Sequence, residues 1–158
     1  MRKHEFVAGE WFSRHRKTLG VAESCTGGLL AGRITDVPGA SAYFLGGIIA
    51  YSNETKVTLL GVPAEVIATR GGVSAECAQA MAAGARTRFR SDFALAVTGI
   101  AGPSGGTPEK PVGLVYVALA APDGAWVAEH RFPGSRQENR SSACEAALDL
   151  LLQRLRPR

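Results

Sequence analysis

Residues 21–28, VAESCTGG, decide how the chain is read. An apolar approach ends in an acid, two hydroxyls and a thiol, and then breaks into paired glycines. A strand that carries polar side chains to its tip just before a helix belongs to an open α/β sheet, whose ligands bind at the carboxyl ends of the strands. Upstream, LGVAES completes a short buried strand. Phe6, Val7, Trp11 and Phe12 precede it near helical spacing, so residues 5–18 read as an opening amphipathic helix.

Downstream, TGGLLAGRITDVPG reads as a helix that starts at Thr26 and stops before Pro38 and Gly39. SAYFLGGIIAYS is apolar enough for a second strand, and SNETKVTLLGV has the polar entry, acidic first turn and glycine stop of a helix. PAEVIATRGG adds a short helix from Pro63, and Ser74 caps an alanine-rich one over SAECAQAMAAGARTRFR. DFALAVTGI is a third strand, followed by the irregular loop AGPSGGTPEKPVG. LVYVALAA and AWVAEHRF, joined by PDG, form a hairpin, and the chain closes on a helix with Ala143, Ala147, Leu150, Leu151 and Leu155 on its apolar face. Strands alternating with helices, plus one hairpin, predict a three-layer α/β fold with a mixed sheet.

The 158 residues are 46% apolar, which suits one domain spanning residues 1–158 with one sizeable core. Cys25, Cys77 and Cys144 are an odd set with no CxxC pair and no histidine at ligand spacing. That disfavours a disulfide framework or a structural zinc and suits a reducing cytoplasm. The N-terminal MRKHEFVAGEWFSRHRK carries acids and aromatics where a secretion signal would be apolar, and no stretch approaches the length of a membrane span. The expected location is therefore the cytoplasm, with no membrane partner. The net charge of +4 is spread along the chain, and the clusters at Arg14–Lys17 and Arg154–Arg158 read as solvated, so no nucleic-acid partner is expected.

Three segments end in polar side chains at strand tips: ESCTGG, AYSNETK and VTGIAGPSGG. Side by side, they would bring Glu23, Ser24, Thr26, Tyr51, Lys56 and Thr98 into one cleft. His4, His15 and His130 lie far from these motifs in sequence, which disfavours a Ser-His-Asp arrangement. A serine can instead be activated by a lysine whose ammonium is destabilised by burial, with Ser24 as nucleophile and Lys56 as base. Just before a helix start, Ser24 would also have free amides and the positive helix end to stabilise an oxyanion. The plainer alternatives are that Ser24 or Thr26 only caps the helix and that Lys56 is a solvent-facing helix lysine. Cys25 is a rival nucleophile beside Ser24. The glycine-rich loop can close its amides on an anion, with Lys110, Arg136 and Arg140 as candidate countercharges.

Taken together, these motifs resemble the C-terminal domain of CinA, the competence and damage-inducible protein, and its stand-alone relatives, the nicotinamide-nucleotide amidases. The resemblance runs through VAESCTGGLLAGRITDVPGASAYFLGGIIAYSNETK, GVSAECAQAMAAGAR, AVTGIAGPSGGTPEKPVGLVYVA and FPGSRQENR, from about Leu19 to Leu155. It implies a three-layer α/β/α sandwich whose sheet of about five strands is mostly parallel with one antiparallel member. It also implies hydrolysis of nicotinamide mononucleotide to nicotinic acid mononucleotide and ammonia without metal or cofactor. Carried across, Ser24, Tyr51 and Lys56 are the catalytic set, with Lys56 and Tyr51 both open as the general base. Glu23, Thr26, Gly27, Gly28, Thr98, Gly99, Gly102, Gly105, Gly106, Lys110 and Arg140 are the expected substrate contacts, Arg140 lying near the phosphate. A homo-oligomer is the expected assembly. Longer CinA proteins carry a further N-terminal domain resembling molybdopterin-binding proteins, and the single short helix before the motif here leads us to expect none of that domain's activity. The alternative is a non-catalytic nucleotide-binding or regulatory module on the same fold.

Overall fold

β1 (Leu19–Glu23) is buried along its whole length and pairs on both sides. The computed structural model describes residues 1–155, so residues 156–158 of the basic C-terminal cluster lie outside it. β1 runs parallel to β2 (Phe44–Ile49) and to β3 (Phe93–Gly99), with Glu23 opposite Ile49 on one side and Val97 on the other. β4 (Leu114–Ala121) runs antiparallel to β3, and β5 (Gly124–Arg131) antiparallel to β4. In the sheet order β2-β1-β3-β4-β5, β4 is therefore the one strand that opposes the other four.

Helices cover both faces. On one side, α1 (His4–His15), α2 (Leu29–Thr35) and α6 (Arg136–Leu155) meet the sheet through bulky residues, among them Phe12, Leu30, Leu95, Leu119, Leu148 and Leu151. On the other, α3 (Asn53–Leu60), α4 (Ala64–Arg70) and α5 (Ala75–Phe89) form the second layer. There the strands present Ala22, Ala94, Ala96 and Ala118, and α5 answers with Ala78, Ala82 and Ala85. Small side chains on both partners let α5 lie close to the sheet, as its alanine-rich sequence predicts. Ser52 and Ser74 cap α3 and α5 by accepting the amides of Thr55 and Cys77.

The connection from β1 through α2 to β2 winds one way along the sheet, and the connection from β2 through α3, α4 and α5 to β3 winds back past β1. Winding thus reverses between β1 and β3, and a crevice opens outside their carboxyl ends, the place where sheets of this kind bind ligands. Ser24 directly follows β1, and Thr98 is the penultimate residue of β3.

Candidate active site

The turn after β1 differs from the helix start expected at Thr26. Residues 25–28 form turns, and α2 begins only at Leu29, behind Gly28 at φ 103°, a left-handed conformation that favours glycine. Neither Ser24 nor Thr26 caps the helix. Glu23 does so from the strand, because its carboxylate accepts the amides of Gly28 (3.2 Å), Leu30 (2.9 Å) and Ala31 (3.0 Å). Glu23 is 1% exposed, so these amides take up the acceptor capacity that a ligand would otherwise use. The helix-end stabilisation expected for an oxyanion at Ser24 is likewise absent, since the α2 amides are already occupied.

Arg140, expected near a phosphate, braces the same turn from α6. Its guanidinium donates to the carbonyls of Cys25 (3.0 Å) and Thr26 (2.8 Å). Glu23 and Arg140 thus hold the turn that Ser24 opens, its carbonyl accepting from the Gly27 amide.

Lys56 meets Ser24 there. Its Nζ lies 2.9 Å from Ser24 Oγ and 3.0 Å from the Tyr51 carbonyl, and the lysine is 3% exposed. Three features place it: the Ser52 cap starts α3 just after β2, Lys56 falls one turn into that helix, and its buried side chain reaches Ser24 at the end of β1. Burial pushes the Lys56 ammonium below the usual lysine range, and no carboxylate among the described residues is hydrogen-bonded to it to offset that. The solvent-facing reading of Lys56 is thereby excluded. Cys25 is also buried, and desolvation pushes its thiol up to about 11, so it stays protonated at neutral pH and is a poor rival nucleophile.

The pair opens into a cleft of about 330 Å3. Of the expected residues, Ser24, Tyr51, Lys56, Thr98, Gly99, Gly102 and Gly105 line it. Glu23, Thr26, Gly27, Gly28, Gly106, Lys110 and Arg140 are not part of that lining. Lys110 instead donates to the Arg70 carbonyl and ties the glycine-rich loop to the end of α4. Thr98 donates to the Gly72 carbonyl at 2.6 Å, which joins the tip of β3 to the segment before α5. Gly102, at φ 87°, lies where any Cβ would strike Val112, so the loop wall requires glycine at that point.

Sequence reasoning missed Asn53, Gly72, Val73 and Ser104, which also line the cleft. Asn53 had a usable signal, since it stands one helical turn before Lys56 and so shares its face. Gly72 and Val73 carried none, because only the chain reversal before α5 brings them in. Arg136, set beside Lys110 and Arg140 as a possible countercharge, is the one of the three that reaches the cleft. It donates to the Gly102 carbonyl (2.6 Å) and to the Tyr51 hydroxyl (3.3 Å).

A mixed three-layer α/β domain with a buried Ser–Lys pair at its switch point defines the class. The profile of the CinA C-terminal domain matches residues 2–155, and the chain belongs to that family. It is 57% identical over 149 residues to a CinA-like protein of Geotalea uraniireducens, covering 94% of this chain and 36% of that protein. With a CinA-like protein of Geobacter sulfurreducens the identity is also 57%, over 87% of this chain and 33% of the relative. The chain thus spans about a third of the length of these relatives. Among solved structures, a competence/damage inducible protein from Agrobacterium tumefaciens superposes with a TM-score of 0.93 at 42% identity, over 95% of this chain and 92% of that one. A CinA superfamily protein from Klebsiella pneumoniae gives 0.93 at 30% identity, over 98% of each chain. No helix among the described residues is long and apolar enough to cross a membrane.

Proposed function

We propose that the chain is an amidohydrolase that converts the carboxamide of nicotinamide mononucleotide and water into nicotinic acid mononucleotide and ammonia. The observation that carries this reading is the 2.9 Å contact between a buried lysine amine and the serine hydroxyl at the mouth of the cleft. The resemblance to nicotinamide-nucleotide amidases supports the choice of substrate.

In this mechanism Lys56 enters neutral, as its burial favours. Ser24 Oγ attacks the carboxamide carbon, forming a C–O bond, while its proton passes to Lys56 Nζ. The Tyr51 carbonyl accepts one amine hydrogen and so turns the Nζ lone pair toward Ser24. The Cys25 amide, adjacent to Ser24 and without a partner among the described residues, is the donor available to the oxyanion. Collapse of the tetrahedral intermediate breaks the C–N bond, and Lys56 returns the proton to the departing nitrogen, which leaves as ammonia. Water, deprotonated by the same amine, then hydrolyses the serine ester and releases the acid.

Arg136 supplies the positive charge for the nucleotide phosphate, together with loop amides around Gly102 and Gly105. Arg140 is left out of that role because its side chain braces the turn after β1 and does not line the cleft. The deciding test measures ammonia release from nicotinamide mononucleotide by purified protein in the presence of EDTA. Turnover that disappears in Ser24→Ala supports the reading. A folded wild-type protein without turnover, or a Ser24→Ala variant with full turnover, overturns it.

A further inference from the structure

Tyr51 entered as a candidate base beside Lys56, but the geometry divides its backbone from its side chain. Its carbonyl touches Lys56 Nζ (3.0 Å) and lies at 3.5 Å from Ser24 Oγ, whereas its phenol is bonded to neither. The hydroxyl instead accepts from Arg136 at 3.3 Å, and the residue is 61% exposed. Because the same guanidinium also grips the Gly102 carbonyl, Arg136 bridges the glycine loop and the tip of the Tyr51 ring. The ring is therefore tethered at the mouth of the cleft, facing solvent.

Among the described residues no Asp or Glu lines the cleft, whose titratable side chains are Cys25, Tyr51, Lys56 and Arg136. The substrate proposed above carries a pyridinium, a planar ring with a positive charge, so this charge meets no carboxylate. Tyr51 contributes the one aromatic face in the lining, and an aromatic face attracts a cation through its quadrupole.

We propose that Tyr51 is the ring platform of the site: its face receives the planar cationic ring of the substrate, its hydroxyl is held by Arg136, and Lys56 alone moves the proton. This inference rests on the proposed substrate, but binding tests it separately from turnover. Calorimetry on a Ser24→Ala background would compare nicotinamide mononucleotide with its uncharged dihydro form for the Tyr51→Phe and Tyr51→Leu variants. Tyr51→Phe is expected to bind within about threefold of the parent and Tyr51→Leu about 5- to 30-fold more weakly, with the larger loss for the charged ligand. With Ser24 intact, the loss in Tyr51→Leu is expected to fall on KM rather than kcat and to exceed that in Tyr51→Phe.

A kcat loss of 100-fold or more in Tyr51→Phe would make the phenol a proton-transfer group and overturn the proposal. Tyr51→Leu binding both ligands as tightly as the parent, or a parent that binds neither, would also overturn it. Weaker binding by Tyr51→Leu in a protein that releases no ammonia would instead keep the platform and discard the hydrolysis.

Discussion

Glu23 and Ser24 are neighbours in sequence, and both are buried, yet they do opposite work. Glu23 has each carboxylate oxygen occupied by amides of its own chain and closes the start of α2. Ser24 has one strong partner, the Lys56 amine, and otherwise faces open space in the cleft. A buried polar group with all its partners is structural, because any change strands the partners. One left with a single reactive neighbour beside a cavity keeps capacity for a ligand. The difference teaches that unspent hydrogen-bonding capacity marks the reactive side here, whereas Arg136 and Arg140 each make two hydrogen bonds and differ in that only Arg136 lines the cleft.

The largest expected break is on the reactive side. Ser24→Ala should lower kcat for ammonia release by at least ~10^3-fold, with unfolding free energy changed by less than about 1 kcal/mol. A large loss of stability in denaturant titration would place Ser24 with Glu23 and collapse the contrast. On the structural side, Glu23→Gln should cost about 2–3 kcal/mol in urea unfolding, since one amide of the α2 start then faces a donor. Unchanged stability would show that the helix start does not need the clamp.

Arg136→Met should raise KM for the nucleotide roughly tenfold while leaving KM for the riboside nearly unchanged, an effect of about 1.4 kcal/mol on a phosphate contact. An equal change for both substrates would detach Arg136 from the phosphate. The smallest effect concerns Lys56. Its depressed pKa means the folded state binds its proton less readily than the unfolded state. Wild-type stability therefore carries a full penalty below the folded pKa, recovers as pH rises from there toward the ordinary lysine value, and is free of the penalty above it. Lys56→Met should be slightly more stable than wild type at neutral pH, with the gap closing in alkali, although it is inactive. In the wild type, kcat/KM should rise with pH through the same depressed pKa.

Most of the architecture was legible in the sequence because its signals are local. The Ser52 and Ser74 caps, the PDG hairpin and the alternation of strands and helices each depend on neighbouring residues. The meeting of Ser24 and Lys56 was also legible, from polar residues at two strand tips. The start of α2 was misplaced because Gly27 and Gly28 look like a weak first helical turn, and the acceptor that caps the helix comes from a strand residue five to eight positions earlier. Arg136 and Arg140 were not separable by sequence either. They lie four residues apart on α6, and which one reaches the cleft depends on where the turn after β1 puts its carbonyls.

The single reversed strand has a consequence of its own. Were β4 parallel to β3, a crossover of fixed handedness and a dozen or more residues would be needed to join them. Running the other way, β4 needs only a loop, pinned where Ile100 donates to Leu114 and Gly113 donates to Ile100. Between those pins the loop can vary in length at small entropic cost, since the entropy of a surface loop grows slowly with its length, while Gly102 and the contacts of Lys110 and Arg136 fix the wall it gives the cleft. The scaffold thus separates a Ser–Lys pair held between the end of β1 and α3 from a rim carried by the β3–β4 loop, so a change of loop length alters what borders the cleft without moving the pair.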